Sequence, residues 1–352
     1  MDGIDHDRLH EFVGRMLGDL GAATSVALIR LGDRLGLYRL LHEGGPATPA
    51  ELAERAQIDE RYAREWLRAQ AASGYLVMDA AEDRFELPPE HAMVFAVEDS
   101  PVNLMGGFDL SVRMLESEAA VEQAFRSGGG VDWGEQGCIF CAVGRFFRPG
   151  YINNLVQSWI PALDGVEDKL RAGAKVADVG CGVGHSTLIM ARAYPDSEFV
   201  GYDFHDGSIE EANRHAANHG LADRVRFEVA RAQAVPETGF DLITCFDCLH
   251  DMGDPAGAAR SIRGALKPDG TWMIVEPLAG DTPADNMNPV GRLYYNASTM
   301  ICVPTSKAQE VSTALGAQAG QARLTEVIRS GGFNSVRRAT EGPFNMILEA
   351  TL

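Results

Sequence analysis

The sequence of 352 residues is short of positive charge: 31 lysines and arginines stand against 50 aspartates and glutamates, for a formal net charge of -19. Broad association with nucleic acid or with an anionic membrane needs a basic surface, so this composition argues against both kinds of partner. No apolar run approaches the roughly 18 residues of a membrane-spanning helix. The acidic start MDGIDHDRLHE also lacks the basic and apolar regions of a signal peptide. We therefore expect a cytoplasmic protein without a membrane partner.

Cysteine is also scarce, with six in the chain. Without a secretion signal, six cysteines do not predict a disulfide framework. Cys138-Ile-Phe-Cys141 and Cys245-Phe-Asp-Cys248 do have the spacing of a zinc site. Cys245, however, falls at the end of a predicted buried strand, whereas structural zinc sites usually hold a cysteine pair on a tight turn. We favour free cysteines that pack as small apolar side chains, and we expect no metal.

The most informative segment that is present is a glycine-rich turn. Lys175-Val-Ala-Asp-Val179 predicts a short buried strand, because its apolar residues alternate. Gly180, Gly182 and Gly184 then let the backbone turn sharply and approach a ligand closely. A helix is expected to follow, over about residues 186–192. This order of strand, glycine turn and helix is typical of a nucleotide-binding unit.

A second predicted strand, over residues 198–202, ends in Asp203, where a carboxylate can accept hydrogen bonds from ribose hydroxyls. Dinucleotide-binding proteins use the same logic with the spacing G-x-G-x-x-G, and the following helix binds pyrophosphate. Here the third glycine comes one residue early. The spacing G-x-G-x-G, with Asp178 two residues before the first glycine, resembles motif I of the class I methyltransferases. The ligand that this resemblance implies is S-adenosylmethionine.

Residues 1–95 predict a winged helix-turn-helix domain. Apolar residues recur at helical spacing over residues 22–41, and Thr48-Pro-Ala-Glu51 opens a further helix as a capping box. Another helix is expected over residues 59–73. Residues 75–78 and 84–87 can then pair as the two strands of a wing.

A winged helix invites a DNA-binding interpretation, since Arg61, Arg64 and Arg68 share one face of the expected recognition helix. The domain nevertheless carries ten arginines and no lysine against seventeen acidic residues. Its charge is therefore unfavourable for DNA, and a solvated face of salt bridges is the better interpretation. We expect no nucleic acid partner.

Residues 96–165 predict helices that are interrupted by glycines and by a turn at Pro149-Gly150. We interpret this segment as a helical linker and active-site cap. Core packing is the more common role of paired phenylalanines, but aromatic and guanidinium groups can also line a pocket. The candidate substrate contacts in this segment are Phe146, Phe147, Arg148 and Tyr151.

Residues 166–352 alternate predicted strands and helices, which indicates a parallel sheet with crossover helices. Further strands are expected at residues 225–229, 241–245 and 271–275. A short turn separates the last two strands, 335–339 and 345–350, which therefore form an antiparallel hairpin. A seven-stranded sheet with a reversed final strand resembles the class I methyltransferase fold. The expected fold class is α/β, with a Rossmann-like catalytic domain after a mainly helical winged-helix domain.

The resemblance becomes more specific at Asp247-Cys-Leu-His250-Asp251. This segment is similar to that of plant-type small-molecule O-methyltransferases, in which a histidine before an aspartate is the general base. Bacterial winged-helix methyltransferases share the whole layout and use the winged helix for dimerisation. The resemblance implies methyl transfer to a small molecule, most often at oxygen, by a homodimer. It also implies that His250 is the base and that Asp251 or Glu276 orients it.

The remaining site residues follow from the same resemblance. The chain departs from the plant-type pattern at Ala230-Arg231-Ala232, where an acidic residue often lies near adenine, and at Met252, where a tryptophan is usual. The cofactor candidates are Asp178, Gly180, Cys181, Gly182, Gly184, Asp203, Phe204, Arg231, Ala232 and Phe246, and the further substrate candidates are Asp247, Tyr294 and Tyr295.

Three alternatives stay open at this point. Related bacterial enzymes hold iron with two histidines, but no histidine follows His250 in this chain. A protein that binds S-adenosylmethionine without transferring the methyl group, and that uses its winged helix to bind DNA, would share the same motifs. The cofactor could also serve only as a structural aid to another reaction.

Overall fold

The computed structural model describes residues 3–352. The chain forms two compact units, one that ends at Val112 and one from Arg113 to Leu352. The domain that we expected over residues 1–95 falls within the first unit, except that residues 1 and 2 lie outside the described residues.

The first unit is mainly helical. Its helices are α1 (His6–Arg34), α2 (Leu37–Gly44), α3 (Pro49–Ala56), α4 (Glu60–Ala72) and α5 (Pro89–Phe95), and α6 (Met105–Glu116) crosses its boundary. Strands β1 (Val77–Asp79) and β2 (Arg84–Glu86) form the expected antiparallel wing.

Local chemistry explains where these helices begin and end. The Thr48 hydroxyl accepts the backbone N–H of Glu51, whose carboxylate accepts the N–H of Thr48, so the predicted capping box is present. The apolar segment over residues 22–41 is not one helix, because Gly36 has a left-handed φ of 69° and separates α1 from α2. The core of this unit is built around Ile29, Leu37, Tyr38, Leu41, Leu52, Trp66, Leu67 and Phe85.

The arginines of α4 are engaged in ion pairs. Arg61 pairs with Glu65 and Arg64 with Glu60 along the helix. Arg68 lies 3.5 Å from Asp83 in the wing. The arginine face is therefore a surface of salt bridges, as the charge of the domain indicated.

Helix α1 is more apolar and more exposed than the sequence analysis allowed. An 18-residue window of this helix has a mean hydropathy of 1.3, and 11% of the window is buried. By length and composition alone α1 could cross a membrane, so the expectation that no apolar run reaches that length is wrong. The exposed apolar side chains that repeat at intervals of three or four residues are Leu9, Val13, Leu17 and Leu20.

The second unit contains a seven-stranded sheet in the order β5-β4-β3-β6-β7-β9-β8. The neighbouring strands from β5 to β7 are parallel, and β9 is antiparallel to both β7 and β8. The expected fold class is confirmed. The strands are β3 (Lys175–Val179), β4 (Glu198–Asp203), β5 (Val225–Val229), β6 (Phe240–Phe246), β7 (Leu266–Pro277), β8 (Ser335–Glu341) and β9 (Asn345–Thr351).

Helices cover both faces of this sheet, and two buried clusters of apolar side chains lie between them and the strands. The helices are α7 (Glu118–Ser127), α8 (Ile139–Asn154), α9 (Val166–Ala172), α10 (His185–Ala193), α11 (Asp206–Asn218), α12 (Pro255–Ala265), α13 (Pro289–Ala297), α14 (Val303–Ala308) and α15 (Gly320–Ser330).

The predicted turn at Pro149-Gly150 is wrong, because α8 continues through both residues. Pro149 and Tyr151 are buried, so tertiary packing compensates for the backbone donor that proline lacks. Beyond Asn154 the chain winds more widely as a π-helical turn over Leu155–Trp159. Helix α8 therefore runs unbroken through a point at which we had expected the helix to be interrupted.

The prediction that the cysteines are buried holds for only part of the set. Cys181, Cys245 and Cys302 are buried, and Cys248 is half-buried. Cys138 and Cys141 are exposed instead. Their side chains lie at the beginning of α8, where that helix faces solvent.

Candidate cofactor and active site

The carboxyl ends of β3, β4 and β6 open into a cavity of about 1050 Å³, measured to its open mouth. Parallel strands of an α/β sheet place ligands at this edge, where the strand order changes direction. The mouth is open, so this volume includes space shared with solvent, and the cavity lies where this class of fold binds its ligands.

The glycine turn forms one wall of the cavity. The backbone N–H groups of Gly180 and Cys181 both donate to the Tyr202 carbonyl, at 2.8 and 3.0 Å, which draws the turn onto the end of β4. Gly180 has a left-handed φ of 76°, and a Cβ at this position would lie 2.6 Å from the Cys248 sulfur. Glycine is required here by both conformation and space.

Asp203 lies opposite the turn at the end of β4 and also lines the cavity. Its carboxylate accepts the Gly182 N–H and the His205 N–H, each at 2.9 Å. Burial raises the pKa of this carboxyl, and the two N–H groups oppose that shift. Each carboxylate oxygen can accept more than one hydrogen bond, so Asp203 retains acceptor capacity toward vicinal hydroxyl groups.

Asp178 lies beneath the turn and does not line the cavity. Its buried carboxylate accepts the hydroxyls of Ser186, Thr187 and Thr244 at 2.7, 2.6 and 3.0 Å. These bonds hold the first turn of α10 against β3 and β6. Asp178 therefore shapes the glycine turn from below, and Gly184 serves as the N-cap residue of α10.

The residues expected around a nucleobase are brought together on one side of the cavity. Half-exposed Phe204 follows Asp203, and Phe246 ends β6. The members of this group that line the cavity are Phe204, Ala230, Arg231, Ala232 and Phe246, and Gln233, which follows them in the chain, lines it as well.

His250 and Glu276 form a buried pair next to the cavity. The Glu276 carboxylate, at the end of β7, lies 2.6 Å from His250 Nδ1 and also accepts the Leu249 N–H at 2.9 Å. Burial by itself lowers the pKa of His250, but the charge of Glu276 and the Cys302 thiol raise it well above its ordinary value. The imidazole itself does not line the cavity, whereas its chain neighbour Asp251 does.

Asp247 lies on the cavity wall in a strained backbone conformation, with a φ of 50°. Its carboxylate accepts the Tyr151 hydroxyl at 2.9 Å and the Asn345 amide at 2.7 Å. Burial, with the charge of Glu276, raises the pKa of Asp247 to about 8. Burial likewise raises the pKa of Asp251 to about 7. Two carboxyl groups thus titrate near neutral pH beside the histidine.

The candidate substrate residues divide into two groups. Phe147, Tyr151 and Asp247 line the cavity. Phe146 packs edge-on against Phe147, with ring centroids 5.0 Å apart, and Tyr294 is buried with its hydroxyl donating to the Phe344 carbonyl at 2.8 Å. The candidates that do not line the cavity are Phe146, Arg148, Tyr294 and Tyr295.

A segment over residues 128–137, here called the strap, supplies a cavity residue that the sequence analysis missed. The Val131 N–H donates to the Pro304 carbonyl at 3.1 Å, and the Gln136 amide donates to the Thr305 hydroxyl at 3.0 Å. These bonds tie the strap to α14. The strap residue that lines the cavity is Trp133. Other lining residues that were not predicted include Phe140, Val143, Gly144, His185, Thr305 and Gln309.

Comparison with known proteins agrees with this architecture. A methyltransferase domain family matches residues 170–332, and an Rv2258c-like winged HTH domain family matches residues 22–96. A ubiquinone biosynthesis O-methyltransferase of Neisseria meningitidis serogroup C is 38% identical over 112 residues, which are 31% of this chain and 45% of the relative. The chain spans about half the length of the first curated relatives that it matches.

Solved structures share the fold over the whole chain at low identity. Mitomycin 7-O-methyltransferase has a TM-score of 0.71 and 20% identity, with 99% of each chain covered. Human N-acetylserotonin methyltransferase, in complex with S-adenosylmethionine, has a TM-score of 0.68 and 17% identity, with 100% of this chain and 99% of that chain covered. Residues 170–332 therefore form a methyltransferase domain and residues 22–96 an Rv2258c-like winged HTH domain, and the chain shares the fold of these solved structures.

Proposed function

We propose that this protein transfers a methyl group from S-adenosylmethionine to an oxygen atom of a small molecule. The observation that carries the proposal is the composition of one cavity. The glycine turn and Asp203 form one side of it, while Asp247 and Asp251, which flank the buried His250, form another. The Neisseria relative, whose name describes an O-methyltransferase, supports oxygen as the acceptor.

The residues present fit this cofactor. Asp203 has acceptor capacity for the ribose hydroxyls, and Phe204 and Phe246 offer apolar faces to the adenine. Gly180 and Gly182 let the backbone approach the amino acid tail. When bound, the cofactor supplies a methyl group already activated by its sulfonium. The protein then has to align the acceptor with that methyl group and exclude water.

In this proposal His250 removes the proton from the acceptor hydroxyl, and because its imidazole lies behind the cavity wall in this structure, the ring must reach the cavity when the substrate binds. Glu276 fixes the ring through Nδ1 and favours the charged imidazolium that forms when the proton is taken up. Glu276 is thus the orienting carboxylate, since it is the group in hydrogen-bond contact with the ring. Asp251 and Asp247, which line the cavity near this base, are proposed to contact the substrate.

The direct test is turnover with defined acceptors. Purified protein is incubated with S-adenosylmethionine and matched sets of phenols, alcohols, amines and thiols, and both S-adenosylhomocysteine and the methylated product are measured by mass spectrometry. A methyl ether formed only in the presence of enzyme supports the proposal. Absence of any calorimetric binding of S-adenosylmethionine, or tight binding of NAD instead, contradicts it.

A regulatory protein that binds DNA without methyl transfer is less well supported. The arginines of α4 are already paired with carboxylates of the same domain. DNA binding would have to break these pairs against a domain of net negative charge. A DNA fragment that shifts at low salt, together with no turnover on any acceptor class, would favour this alternative.

The strap is proposed to cover the nucleoside end of the cavity. Gly134 of the strap lies beside His205, because a Cβ at this glycine would lie 3.7 Å from His205 Nε2. The backbone N–H of His205 in turn donates to Asp203. Trp133 from the same strap lines the cavity. In this proposal the strap opens when the cofactor binds or leaves.

Gly130→Ala is expected to weaken the strap. A Cβ at Gly130 would lie 2.1 Å from the Ala308 nitrogen and 2.4 Å from the Pro304 carbonyl, both of which are backbone atoms. A clash of this kind costs about 1–3 kcal/mol, so S-adenosylhomocysteine should dissociate about 5- to 150-fold faster. Stopped-flow dissociation measures the rate. Gly129→Ala is the matched control, because its Cβ would meet only the Ser127 hydroxyl at 3.2 Å. Equal dissociation rates in the two variants would show that the strap does not control release of the cofactor.

The proposed assembly is a cytoplasmic homodimer. Residues 1–95 serve dimerisation, residues 96–165 link the domains and cap the site, and residues 166–352 bind the cofactor and carry out catalysis. The apolar stripe of α1 supports this assignment, because Leu17 and Leu20 are 64% and 62% exposed. A spacing of three or four residues is that of a helix-pairing seam, so a second copy of the stripe is its proposed partner.

Leu17→Glu combined with Leu20→Glu should convert the dimer to a monomer of 38.0 kDa. Two glutamates in the centre of the interface would remove the stabilisation that comes from burying the apolar stripe. Each would also repel its copy in the partner subunit across the symmetry axis. Light scattering after gel filtration measures the mass, and Ala22→Glu, an exposed position on the other side of α1, is the control. A wild-type monomer that floats with phospholipid vesicles would instead assign the stripe to a membrane.

A further inference from the structure

Two thiols outside the proposed chemistry face each other at the start of α8. The Sγ atoms of Cys138 and Cys141 are 3.6 Å apart, and both side chains are exposed. The sulfurs of a disulfide are about 2.05 Å apart, so a displacement of roughly 1.5 Å would join them. The other four cysteines are buried or half-buried.

The two thiols have different surroundings. Cys138 is the N-cap residue of the 16-residue helix α8, and Cys141 lies in its first turn. Burial and the neighbouring Cys138 raise the pKa of Cys141 to about 11. Cys141 therefore holds its proton and can donate it toward the Cys138 sulfur. The resolving sulfur must lose its proton before it attacks, so the raised pKa of Cys141 makes the closing step of an exchange reaction the slower one.

We propose that Cys138 and Cys141 form a redox-active dithiol that exchanges with low-molecular-weight disulfides. The Cys138 thiolate attacks one sulfur of the small disulfide, and a mixed disulfide forms as the first small thiolate leaves. Cys141 then loses its proton and attacks the Cys138 sulfur, which expels the second small thiol. The protein loses two electrons and two protons, and the small disulfide is reduced to two thiols.

The pair is positioned to affect the cavity. Phe140, between the two cysteines, lines the cavity, and its ring centroid lies 5.1 Å from that of His205. The His205 N–H in turn donates to Asp203. In the same proposal, the approach of the two sulfurs shifts the first turn of α8 and moves Phe140 with it. Oxidation should therefore weaken cofactor binding, an expectation that rests on the proposed function.

The exchange itself is tested without any cofactor. The reduced full-length protein is equilibrated with mixtures of reduced and oxidised glutathione, quenched by acid, alkylated and mapped by peptide mass spectrometry. We expect a peptide with a Cys138–Cys141 bond, a mass lower by about 2 Da, and the other four cysteines alkylated. Cys138→Ser should form no disulfide at this site and should leave Cys141 as an alkylated thiol, whereas Cys141→Ser should accumulate the mixed disulfide on Cys138.

Two outcomes would overturn the dithiol: glutathione that stays attached to Cys138 in the wild-type protein, or buried cysteines that react as fast as this pair. The cofactor arm is separate. Calorimetry of S-adenosylhomocysteine with the reduced protein, the oxidised protein and the Cys138→Ser variant under oxidant should show weaker binding only for the oxidised wild type. Equal binding by all three samples would show that oxidation does not affect the cavity, and the exchange reaction would still stand. If none of the three binds S-adenosylhomocysteine, the proposed function is refuted instead.

Discussion

Replacing His250 by alanine should lower kcat by about 100- to 10,000-fold, the usual contribution of a positioned general base. The affinity for S-adenosylmethionine should change little, because the imidazole does not line the cavity in which the cofactor is proposed to bind. Initial rates under saturating cofactor measure the first effect, and calorimetry measures the second. A large loss of cofactor affinity with kcat retained would show that His250 supports the fold of the site and does not take the proton.

The pH profile separates a base from a structural histidine. A base must be neutral before it accepts a proton, so kcat/KM should rise with pH as His250 deprotonates. Glu276 raises the pKa of His250 well above its ordinary value, which places this rise on the alkaline side. Glu276→Gln removes the charge and keeps the shape, so the rise should move to lower pH and the maximal rate should fall.

Other titrating groups face the same imidazole and have to be separated from it. Asp251 and Asp247, with pKa values raised to about 7 and about 8, also lose protons in this range, and the Cys302 thiol lies against the ring. Asp251→Asn is the matched control for Glu276→Gln. If Asp251→Asn shifts the pH at which kcat/KM rises and Glu276→Gln does not, then His250 is not the base.

The sequence predicted the sheet well because its strands are read from local pattern. Residues 225–229 were expected as a strand and are one, and residues 335–339 and 345–350 form the expected hairpin. The prediction failed where tertiary packing outweighs local preference. Pro149 and Gly150 are turn formers by propensity, yet α8 runs through them because its buried face is held by the cavity wall and core.

The site residues could be predicted where they lie at or just after the carboxyl ends of strands. Asp203 and Asp247 end or follow strands and line the cavity as expected. The strap was not predictable, because the hydrogen bonds that hold it, Val131 to Pro304 and Gln136 to Thr305, join residues that are far apart in sequence. Nor could spacing show that Asp178 supports the turn from below, since strand alternation alone does not say which buried carboxylate meets hydroxyls.

Asp203→Ala should weaken S-adenosylhomocysteine binding by about 100-fold or more, because a hydrogen bond to a charged group contributes about 1.5–3 kcal/mol and two ribose hydroxyls are available. The same substitution releases the N–H groups of Gly182 and His205, so weaker binding alone does not identify the ribose contact. Asp206→Ala, an exposed neighbour, controls for the change in local charge.

Ligand analogues decide between these two roles of Asp203. In the wild type, S-adenosylhomocysteine that lacks the 2′- and 3′-hydroxyls should bind far more weakly than the intact ligand. In Asp203→Ala the two ligands should bind almost equally, because the group that distinguishes them is gone. If removal of the hydroxyls lowers the affinity of both proteins by the same factor, Asp203 acts only by holding the glycine turn. The cavity then does not recognise ribose through this carboxylate.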